Sequence, residues 1–487
     1  MTNDSPRRRD GIASGLFWSF GERMSAQAVA TLVAMLLARL LDPADYGMIS
    51  VVTVFVSLCN IFVTSGLGTA VVRKPGAGPA DFNTAFWLSL GLAAVLYGLL
   101  FWAAPAIGRF YGLPALTAVM RVMGLRLILA ALNNIQRASV QREMAFRRYF
   151  AASLLGTVLS GAAGVAAALG GLGVWALVIQ SLSNLAVHAG VLLAVGRWRP
   201  RFQFCPARAR YIVSFGWKVL AADLVPGLQQ NGRSLIVGKV FGSAELAFYD
   251  QGSKYPALLV DNVNSSINSV MLPAYARVQN NPEALLGMLR RSIRMGMFLL
   301  GPMLVGFAAV AENFVRVVLT DKWLPCVPFL QIFCASCLTR PLETCCHKIL
   351  LAVGRETAPL RIIAAVNLTA VATVLAAAFW FHSILLMALG NLLVTLVSLA
   401  GFMAASSRYV GYRLGRQMED ILPSLAVSAL MGILAGLAGR LPLEPLPLLG
   451  VQMGVGVVSY GVLSARFNRG PLDEMRALAA RRLHKTP

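Results

Sequence analysis

Charge is scarce in this chain. Only 13% of its 487 residues are Asp, Glu, Lys or Arg, and four are His. A typical soluble chain carries about 25% charged residues, so a fully water-facing surface is excluded. The usual catalytic signatures are missing as well. There is no Walker A loop, no GxSxG and no HExxH, and the four His stand far apart at 188, 347, 382 and 484. No catalytic residue is assigned, and the expectation is that the chain is not an enzyme. Acidic residues are the rarer sign, 21 against 43 Lys and Arg, for a net charge of +22. In a soluble protein that excess would suggest nucleic acid. Here the basic residues fall mostly between apolar runs, which is a topology signal instead.

Cysteine is sparse and odd in number, seven in all. Cys334, Cys337, Cys345, Cys346 and His347 resemble a metal cluster only superficially. They fall in one predicted span, whereas metal sites bring paired ligands together across a turn, so they read as packing residues and neither metal nor cofactor is expected. The stretch after Arg7 to Arg9 lacks a small-residue cleavage site, so the first apolar segment is expected to be a retained helix. No loop exceeds roughly 20 residues, which leaves no room for an extramembrane domain.

What the chain has in abundance is apolar sequence: 57% hydrophobic residues and a mean hydropathy of +0.67. Runs bounded by Gly, Pro and charge predict an all-α integral membrane protein of about 14 helices, at about 20 residues per crossing. The spans fall near 13–39, 46–70, 83–107, 115–136, 149–169, 173–195, 211–237, 245–274, 286–310, 325–349, 358–380, 383–405, 420–439 and 446–466. The eighth is the most polar, from Asp261 to Ser269. Even-numbered loops and both ends hold most of the basic residues, such as Arg73 and Lys74, Arg142, Arg199, Arg201, Arg208, Arg290 and Arg355. Odd-numbered loops hold few, among them Arg39, Arg109 and Lys239. The ratio is about five to one, which predicts cytoplasmic termini.

A weak internal repeat recurs at a shift of 200 residues. ARLLDPADYGMIS from Ala38 aligns with GKVFGSAELAFYD from Gly238. Two six-span units of the same orientation give a parallel repeat about an axis along the membrane normal. The expected organisation is an N-terminal lobe at 1–200, a C-terminal lobe at 201–415, and two further helices with a basic tail at 416–487. The two pseudo-symmetric six-helix lobes would surround a central cavity.

Charges inside spans are the candidate functional residues, since each costs about 3 kcal/mol at mid-helix. In the first span Ser19, Arg23, Gln27 and Thr31 share a slowly turning face. In the seventh, Lys218, Gln229 and Arg233 lie within about 60° of one another, and Pro226 with Gly227 is expected to interrupt the helix. Arg126 and Lys254 join the set of cavity cations, whereas Arg121 and Lys218 lie near span ends, where snorkelling explains them. Arg23, Arg126, Arg233, Lys254, Gln27 and Gln229 are the candidate substrate-binding residues. The repeat pairs Arg23 with Asp223, either as a structural salt bridge or as a gate. Asp223, Asp261 and Glu343 are the candidate gating or ion-coupling groups. Glu343 and His347, four apart, read as a proton relay or as a packed polar pair. Thr53, Ser57, Asn60 and Thr64 line one side of the second span, as interhelical hydrogen-bonding groups or as cavity lining. GxxxG from Gly450 to Gly454 reads as helix packing, and the glycines from Gly170 as a tight turn.

The opening GLFWSFGERMSAQ, the hairpin LLARLLDPADYG with the following SGLGTAVVRKP, and SLIVGKVFGSAELAFYDQGSKYP with LPAYARVQ resemble the polysaccharide, or Wzx-type, flippases of the MOP superfamily. The resemblance covers nearly the whole chain. It implies two six-helix lobes closing over a cavity, alternating access, and a polyprenyl-diphosphate-linked oligosaccharide moved from the cytoplasmic to the outer leaflet of a bacterial inner membrane. An undecaprenyl-diphosphate-type substrate and partner polymerases and glycosyltransferases are implied with it. Cationic cavities suit a diphosphate. The rivals are an ion-coupled drug exporter, which would favour a less basic cavity, and a membrane polymerase or glycosyltransferase, which would usually carry one large outer loop.

Overall fold

The computed structural model describes residues 27–143, 146–196, 198–278 and 281–475. Every regular element among them is helical. The chain divides into two compact units at Ala247/Phe248, and the division falls inside a helix. The sequence repeat had placed its lobe boundary at 200.

In the N-terminal unit the helices are α1 (Gln27–Leu40), α2 (Pro43–Thr64), α3 (Leu67–Arg73), α4 (Pro79–Tyr111), α5 (Pro114–Met123), α6 (Leu125–Arg142), α7 (Phe146–Leu169), α8 (Val174–Val195) and α9 (Pro206–Val240). Next comes α10 (Ser243–Arg277), which carries the chain into the C-terminal unit. That unit continues with α11 (Pro282–Ala309), α12 (Ala311–Val318), a 3₁₀ turn (Asp321–Cys326), α13 (Val327–Cys337) and α14 (Arg340–Ala352). It ends with α15 (Thr357–Leu375) and its π turn (Ala376–Trp380), α16 (Ile384–Val410), α17 (Leu414–Ala438) and α18 (Pro445–Phe467).

Local sequence explains the helix starts. Proline opens α2, α4, α5, α9, α11 and α18, where its missing N–H is no loss and its fixed φ suits the first turn. Asn281 caps α11 by accepting from Ala284 N at 3.1 Å, and Ser383 accepts from Leu386 N at 3.4 Å to cap α16. Between α7 and α8 the chain turns on Gly171 and Gly173, both at positive φ, as the glycine-rich stretch predicted.

Among the described residues eleven helical segments are long and apolar enough to cross a membrane, and α1 is a shorter apolar helix. Outside that set stand α9 and α10, 35 residues each and more polar. The fourteen predicted spans are consistent with this arrangement. Large apolar side chains such as Trp102, Leu368 and Val457 are exposed on the outer helices, as an apolar solvent requires. Inside the units the cores are helix-to-helix. One gathers Leu67, Val71, Phe82, Phe86, Ile135 and Ile212. Another gathers Leu289, Ile293, Leu342, Cys345, Cys346 and Ile349.

The element order repeats. The α1–α2 hairpin breaks between Leu40 and Pro43, and α9–α10 breaks between Val240 and Ser243, the predicted shift of 200. The fourth span is split at Gly124 into α5 and α6, and the tenth is split near Leu338 into α13 and α14.

Three sequence readings are corrected here. Pro226 and Gly227 do not interrupt the seventh span, because α9 runs unbroken from Pro206 to Val240. Neighbouring groups in a bundle can absorb a proline. The cysteines of the tenth span do not share one helix: Cys334 and Cys337 lie on α13, Cys345 and Cys346 on α14. Gly450 and Gly454 do not pack within the chain, since a Cβ at either would meet open space.

Candidate functional site

The polar span of the N-terminal unit, α9, with the first residue of α10 after it, is held along α2 and the turn that follows α2 by close contacts at several depths. A Cβ on Gly47 would lie 1.7 Å from the Ser243 carbonyl oxygen, one on Gly66 would lie 2.3 Å from the Gly216 oxygen, and one on Gly227 would lie 2.2 Å from Ile61 Cδ1. The pairs descend one helix as they climb the other, so the two run antiparallel. Small residues allow this approach, and close backbones give strong dispersion contacts without a hydrophobic driving force. In the middle of the seam Ser57 Oγ lies 2.7 Å from Asn231 Oδ1, while Asn231 Nδ2 donates to Gly227 O at 2.7 Å. Ser57 therefore does what the interhelical reading of the second span expected. Thr64 turns back on its own helix, donating to Asn60 O at 2.8 Å, and Asn60 Oδ1 is buried without a partner among the described residues.

The candidate residues of this unit do not form one cluster. Gln27 begins α1 and its carbonyl accepts from Thr31 Oγ1 at 2.8 Å. Arg126, near the start of α6, reaches α8 and donates from Nη1 to Ser181 Oγ at 3.0 Å. Arg233 is half-buried on α9 and has interactions of its own, while Asp223, ten residues earlier on the same helix, is exposed. Gln229 lies on α9. Arg23 lies outside the described residues, so its pairing with Asp223 is untested. Arg121 packs its guanidinium 4.3 Å from the Phe101 ring centre.

In the C-terminal unit Asp261 lies exposed on α10, and Glu343 lies in the first turn of α14, just after the break from α13. Glu343 accepts from Thr339 Oγ1 on one oxygen and from Ser398 Oγ at 3.1 Å on the other. Its carboxylate is thus tied to α16, while His347 sets its ring edge-on to Phe402. Lys254 is exposed on α10, with Asp250 one turn before it. No group of three or more His, Cys, Asp or Glu among the described residues is placed to hold a metal ion.

Sequence reasoning missed the buried acids at the basic ends of the spans. Asp81, 1% exposed, accepts from Lys74 Nζ at 2.7 Å, Arg208 Nη1 at 2.8 Å and Gly78 N at 3.0 Å. Asp420 accepts from Arg290 through Nε at 2.7 Å and Nη2 at 3.0 Å, and from Tyr412 Oη at 2.8 Å. Each carboxylate ties a helix end to basic side chains of a neighbouring segment. The available signal was an acid within the first two turns of an apolar span, alone at Asp81 and beside Glu419 at Asp420, opposite loops full of Arg. Beside the first staple, Cys205 precedes α9. The backbone N–H of Arg208, helped by that of Ala207 and by the Arg208 charge, holds its thiol below the ordinary range.

Residues 36–328 match the family described as polysaccharide biosynthesis protein. The chain belongs to that family. Among curated relatives it is 23% identical over 325 residues to the succinoglycan biosynthesis transport protein ExoT of Rhizobium meliloti, covering 67% of this chain and 66% of the relative. It is 24% identical to the lipopolysaccharide biosynthesis protein WzxC of Escherichia coli, over 71% of each chain. It is 23% identical to the teichuronic acid biosynthesis protein TuaB of Bacillus subtilis, over 71% of this chain and 72% of the relative. The chain thus spans about two thirds of the length of the curated relatives it matches. Among solved structures, the lipid II flippase MurJ in an inward closed conformation superposes with a TM-score of 0.74 at 12% identity, covering 93% of this chain and 99% of that one. An inward-facing multidrug resistance MATE transporter of the MOP superfamily superposes with 0.59 at 14% identity, over 79% and 95%. The fold is the MurJ and MATE transporter fold, as the resemblance of the opening, hairpin and GKVFGSAE motifs implied.

Proposed function

We propose that this protein is a flippase. It moves a polyprenyl-diphosphate-linked oligosaccharide repeat unit across the bacterial inner membrane for the assembly of a surface polysaccharide. The observation that carries this reading is the family match over residues 36–328 on a chain built from membrane-crossing helices. It is a transporter rather than an enzyme.

Alternating access by two lobes, 1–200 and 201–415, with 416–487 added, is the mechanism that the repeat supports. Arg23, Arg126, Arg233 and Lys254 would meet the diphosphate, with Gln27 and Gln229 donating to phosphate or sugar. Asp223, Asp261 and Glu343 would couple an ion or the gate. The substrate is of the undecaprenyl-diphosphate type, the termini are cytoplasmic, and the polymerase and glycosyltransferases of the same polysaccharide are the partners.

The test is deletion of the gene followed by isolation of lipid-linked oligosaccharide, with its leaflet determined. Single repeat units held on the cytoplasmic side, with surface polysaccharide lost, are the expected result. Single units accumulating on the outer side would mean that transport survives, and the polymerase reading would replace this one.

A further inference from the structure

At the basic end of the N-terminal unit, where α4 begins and α6 and α8 end, a cavity of about 630 Å³ opens. Arg142, Arg199, Arg201, Ser139 and Trp198 line it, with one acid, Glu143. A smaller recess adjoins it, sharing Ser139, Glu143 and Trp198 and reaching Gln136. Gln136 is 3% exposed, yet neither its amide nitrogen nor its oxygen has a hydrogen-bond partner among the described residues. The buried Trp198 indole Nε1 is likewise without an acceptor. Buried amides and indoles left without partners are uncommon in a folded interior and call for a partner from outside the chain, a water, an ion or a ligand.

The wall around them is well made. Asn83 is fully buried; its Oδ1 accepts from Arg201 N at 3.1 Å and its Nδ2 donates to Gln203 Oε1 at 3.2 Å. Trp87 Nε1 donates to Arg201 O at 2.9 Å. These bonds fix the 201–203 backbone and leave the Arg199 and Arg201 side chains exposed. Arg142 is anchored through Nη1 to the carbonyls of Val71 and Lys74 at 3.3 and 3.4 Å. The lining therefore combines three guanidinium groups, each a flat fork suited to phosphate oxygens, with an indole donor and an amide behind them.

We propose that this cavity binds the phosphate-bearing headgroup of an anionic lipid. Two features favour a lipid over a soluble phosphate. The cavity lies at the ends of membrane-crossing helices, where headgroups sit. Next to Arg201, Phe202 is 88% exposed and Phe204 is 53% exposed, the arrangement of an interfacial aromatic belt. Phe202 packs edge-on against Trp87, with ring centres 4.8 Å apart, which sets it beside the cavity mouth. The proposal goes beyond the transport reading and does not depend on it.

The test uses the full chain in nanodiscs of phosphatidylcholine with a minor share of phosphatidylglycerol, extracted into detergent and weighed by native mass spectrometry. Wild type is expected to retain phosphatidylglycerol over phosphatidylcholine by about tenfold, and Arg199→Ala with Arg201→Ala to lose that preference. Both side chains are exposed, so that double variant keeps its fold. Gln136→Leu removes the stranded amide; it is expected to lose the preference while its melting temperature stays equal or rises. Equal retention of the two lipids, or a preference that both variants keep, overturns the proposal. Binding of inorganic phosphate at millimolar concentration with no lipid preference also overturns it, and assigns the cavity to a soluble phosphate.

Discussion

Removing the Asp420 carboxylate is the sharpest test of how the C-terminal unit is held together. The side chain is 4% exposed and receives the Arg290 fork, the Tyr412 hydroxyl and, at 3.8 Å, Arg294 Nε. Breaking a fully buried ion pair costs about 3–5 kcal/mol, because the surviving charge is left without a partner. Here the surviving charges keep a path to water, since the Arg290 and Arg294 side chains are 29% and 41% exposed. Solvent screening reduces their share, whereas the fully buried Tyr412 hydroxyl has no such outlet. About 2–3 kcal/mol remains for Asp420→Ala. At about 2–4 °C per kcal/mol for a unit of this size, the melting temperature should fall by about 5–10 °C. Size-exclusion thermostability of the detergent-solubilised protein measures it. Asp420→Asn, which keeps the shape and one acceptor, should lose about half as much, and Arg294→Ala less again, since its contact is the longest. An Asp420→Ala melting temperature within about 1 °C of wild type would refute the reasoning.

Two other perturbations address the N-terminal unit. Gly66→Ala combines a positive φ of 82° with a Cβ 2.3 Å from the Gly216 oxygen, so it should cost well over the roughly 1–2 kcal/mol of Gly76→Ala, which has positive φ but open space around it; equal melting temperatures for the two would refute the α2–α9 seam. For Cys205 the sign follows from which form reacts: a depressed thiol pKa keeps the nucleophilic thiolate populated at lower pH. Its maleimide labelling rate should therefore rise with a midpoint below the ordinary value of about 8.5, and a midpoint at or above that value would remove the backbone N–H effect.

The spans were legible because two signals coincide at nearly every boundary. Apolar runs stop at Gly or charge, and proline marks the first turn, as at Pro79, Pro114, Pro282 and Pro445. The repeat was legible from the spacing of a single hairpin, since the two breaks fall 200 residues apart, although their turn chemistry differs: Asp42 and Pro43 open α2, whereas Gly242 at a φ of 95° precedes α10. What failed to show was what depends on neighbours. A proline-glycine pair reads as a break, yet Gly227 of α9 lies against Ile61, a contact that no local pattern encodes. GxxxG reads as packing, yet Gly450 and Gly454 meet nothing within the chain. The tenth span looked continuous in composition, although its break near Leu338 is followed by Arg340 and Pro341, the charge and first-turn proline that mark helix starts elsewhere. Of the candidate site, composition located the costly charges but not their partners. Arg126 to Ser181 and Glu343 to Ser398 join residues 55 apart, and a span-by-span reading has no access to such pairs.

The polarity of α9 and α10 can be turned into a measurement. Lys218, Asp223 and Arg233 on one and Lys254 and Asp261 on the other would together cost about 15 kcal/mol against lipid, as much as the whole stability of a typical domain. Those faces must therefore meet water or partners, and the glycine seam shows how α9 manages it. One side of that helix is sealed against α2 at Gly227 and against Gly66 and Leu67, just past α2, at Gly216. Exposure in the bare chain does not separate water from lipid: Lys254 of α10 and Leu368 of α15 are both exposed. Thiol chemistry does separate them, because maleimide needs the thiolate, which does not form in hydrocarbon. In a background with the seven native cysteines replaced, Lys254→Cys in sealed membranes should react at least about tenfold faster than Leu368→Cys, and Gly227→Cys, placed against Ile61, should stay as slow as Leu368→Cys. Equal rates at Lys254 and Leu368 would mean that α10 shows its charges to the same medium as α15, and a water-filled path along it would have to be abandoned.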